Sequence, residues 1–139
     1  MRYLGIDFGT RKVGLALSDE GGTMGFPKDV VPNGPRLAED IANLIAAEGI
    51  DAVVIGESRD FKGNENPVAL EAKKFAAALG HKTDVPIEWE PEMMTTQEAR
   101  REPDLPEGRA SRAPRDHSPV DASAAAIILT SYLTKKQNA

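Results

Sequence analysis

The clearest indication of the fold is a strand-like stretch near the start of the chain, Tyr3-Leu4-Gly5-Ile6-Asp7-Phe8, followed by the turn Gly9-Thr10-Arg11-Lys12. Leu4, Ile6 and Phe8 alternate at a period of two, which predicts a β-strand with these side chains on one face. Asp7 then lies on the opposite face from Ile6, in the middle of a strand where aspartate is depleted. Because an apolar strand rarely tolerates an unpaired carboxylate, Asp7 is the first candidate functional residue.

Two more strands follow this opening segment at short intervals. Val13, Leu15 and Leu17 alternate again after the turn, Gly21-Gly22 marks a second turn, and a short strand is predicted around residues 28–31. Three consecutive strands with short connections predict an antiparallel meander.

The hydrophobic period then changes to that of helices alternating with strands. A helix is predicted from Pro35 to Gly49, an apolar strand at 52–56, a helix from Pro67 to Gly80 and a strand at 85–90. A capping box from Thr95 to Glu98 predicts a short helix to about residue 101. The last predicted helix follows Ser118-Pro119 and buries Ala124, Ile127, Ile128 and Leu133.

The resulting order, βββαβαβαα, predicts an α/β fold with a mixed five-stranded sheet, antiparallel first and parallel afterwards, flanked by helices. This is the order of elements in ribonuclease-H-like folds. The segment at about 102–118 has no periodicity and is predicted to be a flexible loop, and the polar tail at about 135–139 is predicted to fray.

Length and composition fit one globular domain spanning residues 1–139. Apolar residues make up 40% and charged residues 28%, and the absence of cysteine excludes disulfides and thiolate metal sites. No apolar stretch approaches the ~20 residues needed to cross a bilayer, and no leader is evident. A soluble, cytoplasmic protein is therefore expected. The net charge of −5 argues against a broad basic surface, although it leaves room for local basic patches.

Three acids stand out by their positions in this predicted fold. Asp7 lies on the central strand, Glu92 just past the fifth strand, and Asp121 in the first turn of the last helix. If that helix crosses the end of the sheet, the three carboxylates converge. Hard divalent cations such as Mg²⁺ or Mn²⁺ bind such oxygen ligands, and two ions can activate water and stabilise the leaving oxygen in phosphodiester cleavage.

Each of these residues also has a simpler interpretation. Asp121, three residues after Ser118, can simply interact favourably with the dipole of the last helix. Glu92 can be a solvated loop residue. The segment Asp7-Phe8-Gly9-Thr10 also resembles the first phosphate loop of actin-like ATPases, which clasp ATP between two related domains. A hairpin turn that needs glycine is the structural alternative.

Four segments together resemble one known family over essentially the whole chain. They are Gly5-Ile6-Asp7-Phe8-Gly9-Thr10 and its continuation to Ala16, Val53-Val54-Ile55-Gly56, Glu92-Met93-Met94-Thr95-Thr96, and Val120-Asp121-Ala122-Ser123. The chain resembles the YqgF/RuvX family of pre-16S rRNA nucleases, also called Holliday-junction-resolvase-like proteins. The resemblance implies a ribonuclease-H-like fold and places the family's proposed catalytic acids on Asp7, Glu92 and Asp121.

The sequence departs from the family pattern at two places. The family usually has arginine where this chain has Met93, and arginine binds phosphate in a bidentate manner that methionine cannot reproduce. The family's Gly-Leu-Pro after the fourth strand is Gly56-Glu57-Ser58 here. We expect Arg59 or Lys62 to supply a phosphate contact instead.

Basic residues near the three acids are candidates for nucleic-acid contacts. Phosphate contacts supply much of the affinity for nucleic acid without reading its sequence, and each of these residues can instead lie on a solvated turn or a charge-balanced loop. The candidates are Arg11, Lys12, Arg59, Lys62, Arg112 and Arg115.

The sequence therefore predicts a hydrolase, a metal-dependent endonuclease acting on structured RNA, by resemblance the precursor of 16S rRNA, within ribosome biogenesis. Pre-ribosomal particles are expected partners, with the protein a monomer or homodimer and no membrane involved. A resolvase acting on branched DNA retains the chemistry with another substrate. A non-catalytic RNA-binding module for ribosome assembly is the alternative of another class.

Overall fold

Five strands and three helices make up the part of the chain that the computed structural model describes, residues 1–58, 67–92 and 122–138. The strands are β1 (Tyr3–Phe8), β2 (Lys12–Ser18), β3 (Gly25–Pro32), β4 (Ala52–Ser58) and β5 (Ile87–Glu92). The helices are α1 (Leu37–Glu48), α2 (Pro67–Gly80) and α3 (Ala122–Gln137).

The strands form one sheet in the order β3-β2-β1-β4-β5. β1 pairs with β2 and β2 with β3 in antiparallel fashion, whereas β1–β4 and β4–β5 are parallel. This confirms the predicted mixed sheet and places β1 at its centre, where every residue is buried.

The two faces of the sheet carry different helices because side chains alternate along each strand. On one face, Leu4, Ile6 and Phe8 of β1 join a core cluster with α1 and α2. On the other face, Tyr3 of β1 and Val54 of β4 pack against α3. The sheet therefore has a hydrophobic core on each of its two faces. Asp7 alternates with Ile6 and so lies on the face covered by α3.

Helix α3 lies unusually close to the sheet at two glycines. A Cβ atom added to Gly5 would lie 2.8 Å from the Leu129 Cβ, and one added to Gly25 would lie 2.9 Å from the same atom. Side chains at these positions would hold the helix away, so the close packing of α3 depends on glycine in β1 and β3.

Three predictions about element boundaries and faces are corrected by the structure. Helix α1 begins at Leu37 rather than Pro35, which lies in a preceding turn closed by the Leu37 amide and the Gly34 carbonyl. Strand β5 is shifted toward the carboxyl end and includes Glu92 as its last residue, because β5 stays paired with β4 through Ser58. Ile127, predicted to be buried, is 61% exposed. The sheet instead receives Ala125, Ile128, Leu129 and Leu133.

Helix α3 continues through Gln137 and so includes part of the polar tail at about 135–139. Its last turn is held by an ion pair between Lys135 and Glu90 and by a hydrogen bond from the Gln137 side chain to the Thr23 carbonyl. Among the helices of the described ranges, none combines the length and apolar character required to cross a membrane.

The turn between β2 and β3 is organised by Asp19. Its carboxylate accepts hydrogen bonds from the Thr23 amide and hydroxyl, each at 2.8 Å, and from the Met24 amide at 3.0 Å. These bonds, above all those from the two amides, lower the pKa of Asp19 from 3.8 to about 2 because they favour the charged carboxylate.

We expect this turn to add stability that depends on pH. Because the folded pKa is depressed, the contribution is fully present above the ordinary pKa of 3.8 and is lost as pH falls toward about 2. The difference in urea midpoint between the wild type and Asp19→Ala should therefore be constant above pH 5 and shrink below pH 4. Glu20→Ala, in the same exposed turn, is the matched control. A difference independent of pH down to 2.5 would contradict the assignment.

Candidate functional site

Asp7 is a buried carboxylate at the centre of the sheet, with a relative exposure of 6%. In the antiparallel register it lies opposite Gly14 of β2. The parallel register pairs Ile6 with Ile55, so the next residue along places Asp7 beside Gly56 of β4. Both residues level with Asp7 are buried glycines. Neither neighbouring strand therefore presents a side chain beside this carboxylate on the α3 face.

The end of β5 lies at the same edge of the sheet as the end of β1, because the two strands are parallel through β4. Glu90 pairs with Gly56, and Glu92 pairs with Ser58 at the end of the strand. Glu90 thus shares a row with Asp7 two strands away, a lateral separation of about 9.5 Å. The backbone of Glu92 lies two residues further toward the carboxyl edge.

Helix α3 runs opposite to β1 and begins on the Asp7 side. The Ala125 carbonyl is close to Gly5, whereas the ring of Tyr132 lies 6.0 Å from that of Tyr3. From Ala125 to Tyr132 the helix therefore runs from a point above Gly5 toward the start of β1. Its first residue, Ala122, lies on the other side of Ala125, toward the end of β1 that carries Asp7.

The turn after β1 presents Arg11 and Lys12, both exposed, at this same edge. Asn33 holds the turn through two hydrogen bonds: its amide donates to the Arg11 carbonyl at 2.9 Å, and its side chain donates to the Gly9 carbonyl at 2.8 Å. Lys12 begins β2 two residues before Gly14, so alternation gives it the same face as Asp7.

The structure thus brings Asp7, Arg11, Lys12 and the backbone of Glu92 to one edge of the sheet. Within 1–58, 67–92 and 122–138, no three histidine, cysteine, aspartate or glutamate side chains form a group able to hold a metal ion. The remaining predicted site residues lie outside the described residues: Arg59, Lys62, Arg112, Arg115 and Asp121. Met93, where the family usually has arginine, lies outside them as well.

A buried acid on β5 was not among the sequence predictions. Glu90 is 4% exposed, accepts a hydrogen bond from the Ser131 hydroxyl at 2.8 Å and pairs with the Lys135 ammonium at 2.7 Å. Beside it, burial raises the pKa of Tyr132, and the negative charges of Glu88 and Glu90 add to the effect. Alternation along β5 gives the face of Glu90, but its partners on α3 are 41 and 45 positions away and have no sequence signature.

A groove of about 450 Å³ lies between β3 and α1. It is lined by Leu15, Val31 and Leu37 with the charged residues Lys28 and Asp40 at its rim. Leu15 and Val31 belong to the α1 face of the sheet, so the groove lies on the opposite face from Asp7 and is not part of this site.

Comparison with known proteins decides the family. The sequence model described as "RuvX: Holliday junction resolvase" matches residues 1–135. The chain belongs to the RuvX family. A family member from Pelotomaculum thermopropionicum, named "Putative pre-16S rRNA nuclease", is 39% identical over 136 residues, covering 96% of this chain and 86% of its own. A relative of the same name from Nitratidesulfovibrio vulgaris is 34% identical over 135 residues, covering 96% and 93% of the two chains.

Two solved structures share this fold at low sequence identity. RuvC from Thermus thermophilus, in a complex with a Holliday junction substrate, superposes with a TM-score of 0.60 at 21% identity, covering 99% of this chain and 96% of that one. The fowlpox virus Holliday junction resolvase gives a TM-score of 0.54 at 11% identity, covering 97% and 99% of the chains. These similarities confirm the predicted ribonuclease-H-like fold, and membership of the RuvX family confirms the predicted class of enzyme, a nuclease.

Proposed function

We propose that this chain is a metal-dependent endonuclease that hydrolyses phosphodiester bonds in precursor 16S rRNA. The observation that carries the proposal is the placement of Asp7: a buried carboxylate between two glycines, at the sheet edge where β5 ends and toward which α3 begins. Relatives named as pre-16S rRNA nucleases, aligned over nearly the whole chain, support the choice of substrate.

The chemistry of Asp7 fits a hard divalent cation. The residues level with Asp7 on both adjacent strands are glycines, and Mg²⁺ and Mn²⁺ prefer the oxygen donors that a carboxylate supplies. Asp7, Glu92 and Asp121 would hold the metal. When bound, it would lower the pKa of a water molecule and neutralise charge on the leaving oxygen.

The protein's own groups position the substrate in this mechanism. The backbone of Asp7 is held by the pairing of β1 on both sides, which fixes the point from which its carboxylate acts. Arg11 and Lys12 contact phosphates of the scissile strand from the turn that Asn33 holds. Arg59, Lys62, Arg112 and Arg115 extend these contacts along the backbone of the nucleic acid.

Branched DNA is the second candidate substrate. The description of the family as a Holliday junction resolvase favours it. The same carboxylates would perform the same hydrolysis, and a homodimer would present two sites to a junction with two-fold symmetry. A monomer acting on RNA, in solution or within pre-ribosomal particles, needs one site.

The test is cleavage of two labelled substrates, a precursor 16S rRNA fragment and a four-way DNA junction, each with Mg²⁺, with Mn²⁺ and with EDTA. We expect metal-dependent cleavage of the RNA. Cleavage of the junction alone would make the protein a resolvase. Binding of RNA without cleavage under every condition would instead indicate a non-catalytic assembly module, and Met93→Arg would then test whether the missing arginine is the cause.

Removing the two cations of the β1–β2 turn should weaken binding more than it slows the chemistry. Arg11→Ala combined with Lys12→Ala is expected to lower RNA affinity about tenfold in moderate salt and to reduce the dependence of affinity on salt by about two counterions. Filter binding at KCl concentrations from about 50 to about 200 mM would measure the RNA affinity and its dependence on salt. Lys82→Ala, at the opposite edge of the sheet, is the control. If the double variant and Lys82→Ala bind RNA with equal affinity, the β1–β2 turn is not part of the RNA interface.

A further inference from the structure

Glu90 joins β5 to two consecutive turns of α3. Its Oε2 atom accepts the Ser131 hydroxyl at 2.8 Å and contacts the Lys135 Nζ at 2.7 Å. Ser131 and Lys135 are four residues apart and so lie on the same side of the helix. A single carboxylate held by two successive turns restrains both the rotation of α3 and its translation along its axis.

The contacts of α3 at Gly5, Gly25 and Thr23 are uncharged. At Gly5 and Gly25 the helix packs through Leu129 and small residues, and apolar packing of this kind has no directional preference. On the β3 side, the Thr130 hydroxyl accepts a hydrogen bond from the Gly25 amide at 3.0 Å. Glu90 supplies a charge-assisted contact on the opposite side, above β5, where direction and distance are both specified.

This contact lies within the framework of the candidate site. Glu90 shares a row with Asp7 across Gly56, and Glu92 follows two residues later, about 6.7 Å along the strand. At the other end of the contact, α3 leads from Ser131 back to Ala122 over about 13.5 Å. Glu90 therefore links β5 to the helix whose first turn leads toward Asp7.

We propose that Glu90, held by Lys135 and Ser131, is a positioning residue that sets the end of β5 against the start of α3 and so fixes the spacing of the metal-binding carboxylates. This inference rests on the proposed function.

The experiment compares Lys135→Met, which removes the ammonium and retains the aliphatic stem, with Lys135→Arg and with Lys136→Met, the exposed neighbour. Binding of Mn²⁺ to the full chain is measured by calorimetry, the melting temperature is measured without metal, and RNA cleavage is measured in parallel. We expect Lys135→Met to weaken Mn²⁺ binding about tenfold. Lys135→Arg should restore most of the affinity, and Lys136→Met should match the wild type.

Two results would overturn the positioning role. If Lys135→Met lowers the melting temperature but binds Mn²⁺ within about twofold of the wild type, the contact is merely structural. If Lys135→Met binds Mn²⁺ more tightly, Glu90 acts as a ligand once released. Failure of the proposed function has a different signature: the wild type itself would bind Mn²⁺ no better than Asp7→Asn, and the positioning role would fall with it.

Discussion

Asp7→Asn should abolish nuclease activity while leaving the fold intact. We expect the rate of cleavage to fall by more than about a hundredfold, since even the loss of a residue that only supports a metal ligand costs up to that factor. The amide keeps the shape of the carboxylate but not its charge. Because a buried charge is costly to desolvate, the free energy of unfolding should stay the same or increase.

The matched control for this variant is Asp84→Asn. Asp84 is exposed and lies before β5, at the opposite edge of the sheet from Asp7. Its substitution should change neither cleavage nor stability. Single-turnover cleavage and urea unfolding, measured on both variants, separate catalysis from folding. Full activity in Asp7→Asn would remove Asp7 from the chemistry.

Gly5→Ala is expected to be the most destabilising small substitution in β1. The added Cβ would lie 2.8 Å from the Leu129 Cβ and 3.1 Å from the Ala125 carbonyl oxygen, so α3 must shift or the strand must bend. Overpacking of this kind costs about 1–3 kcal/mol of unfolding free energy. Because α3 begins toward Asp7, the shift should also lower cleavage in the fraction that remains folded.

The comparison that isolates this steric effect is Gly34→Ala. No atom lies within 4 Å of the Cβ that this change adds, and the backbone there does not have the positive φ that would strain alanine. We expect Gly34→Ala to be neutral or slightly stabilising, because alanine restricts the unfolded chain. Equal urea midpoints for the two variants would show that α3 tolerates a side chain at Gly5 and would contradict the close packing.

The sheet could be predicted from the sequence because its signals are local. Alternation in β1 and β2, short turns between the first three strands and the wholly apolar β4 specify both the antiparallel and the parallel halves. The same alternation assigned Asp7 to the face opposite Ile6, where the structure has it.

The orientation of α3 could not be predicted in the same way. The segment from Ala124 to Leu129 is apolar at every position, so periodicity does not say which side faces the sheet, and Ile127 was assigned to the wrong one. The side is selected by glycines 5 and 25, more than a hundred residues earlier in the chain. Tertiary packing of this kind has no local pattern.

The polar contacts around the site also could not be predicted from the sequence. Glu90 looks like any strand glutamate until Ser131 and Lys135 are placed beside it. Lys135 likewise looks like a solvated residue of a polar tail until its buried partner is known. Asp7 could be singled out from the sequence because a carboxylate within an apolar strand is rare.

Metal binding at Asp7 is tested most directly by anomalous diffraction from crystals of the full chain grown with Mn²⁺ and a short RNA. We expect a manganese peak within coordination distance of the Asp7 carboxylate, about 2.0–2.2 Å, with Glu92 and Asp121 as further ligands. The peak should be missing in Asp7→Asn crystals of the same form. RNA bound along this edge with no metal at Asp7 would show that Asp7 is not a metal ligand.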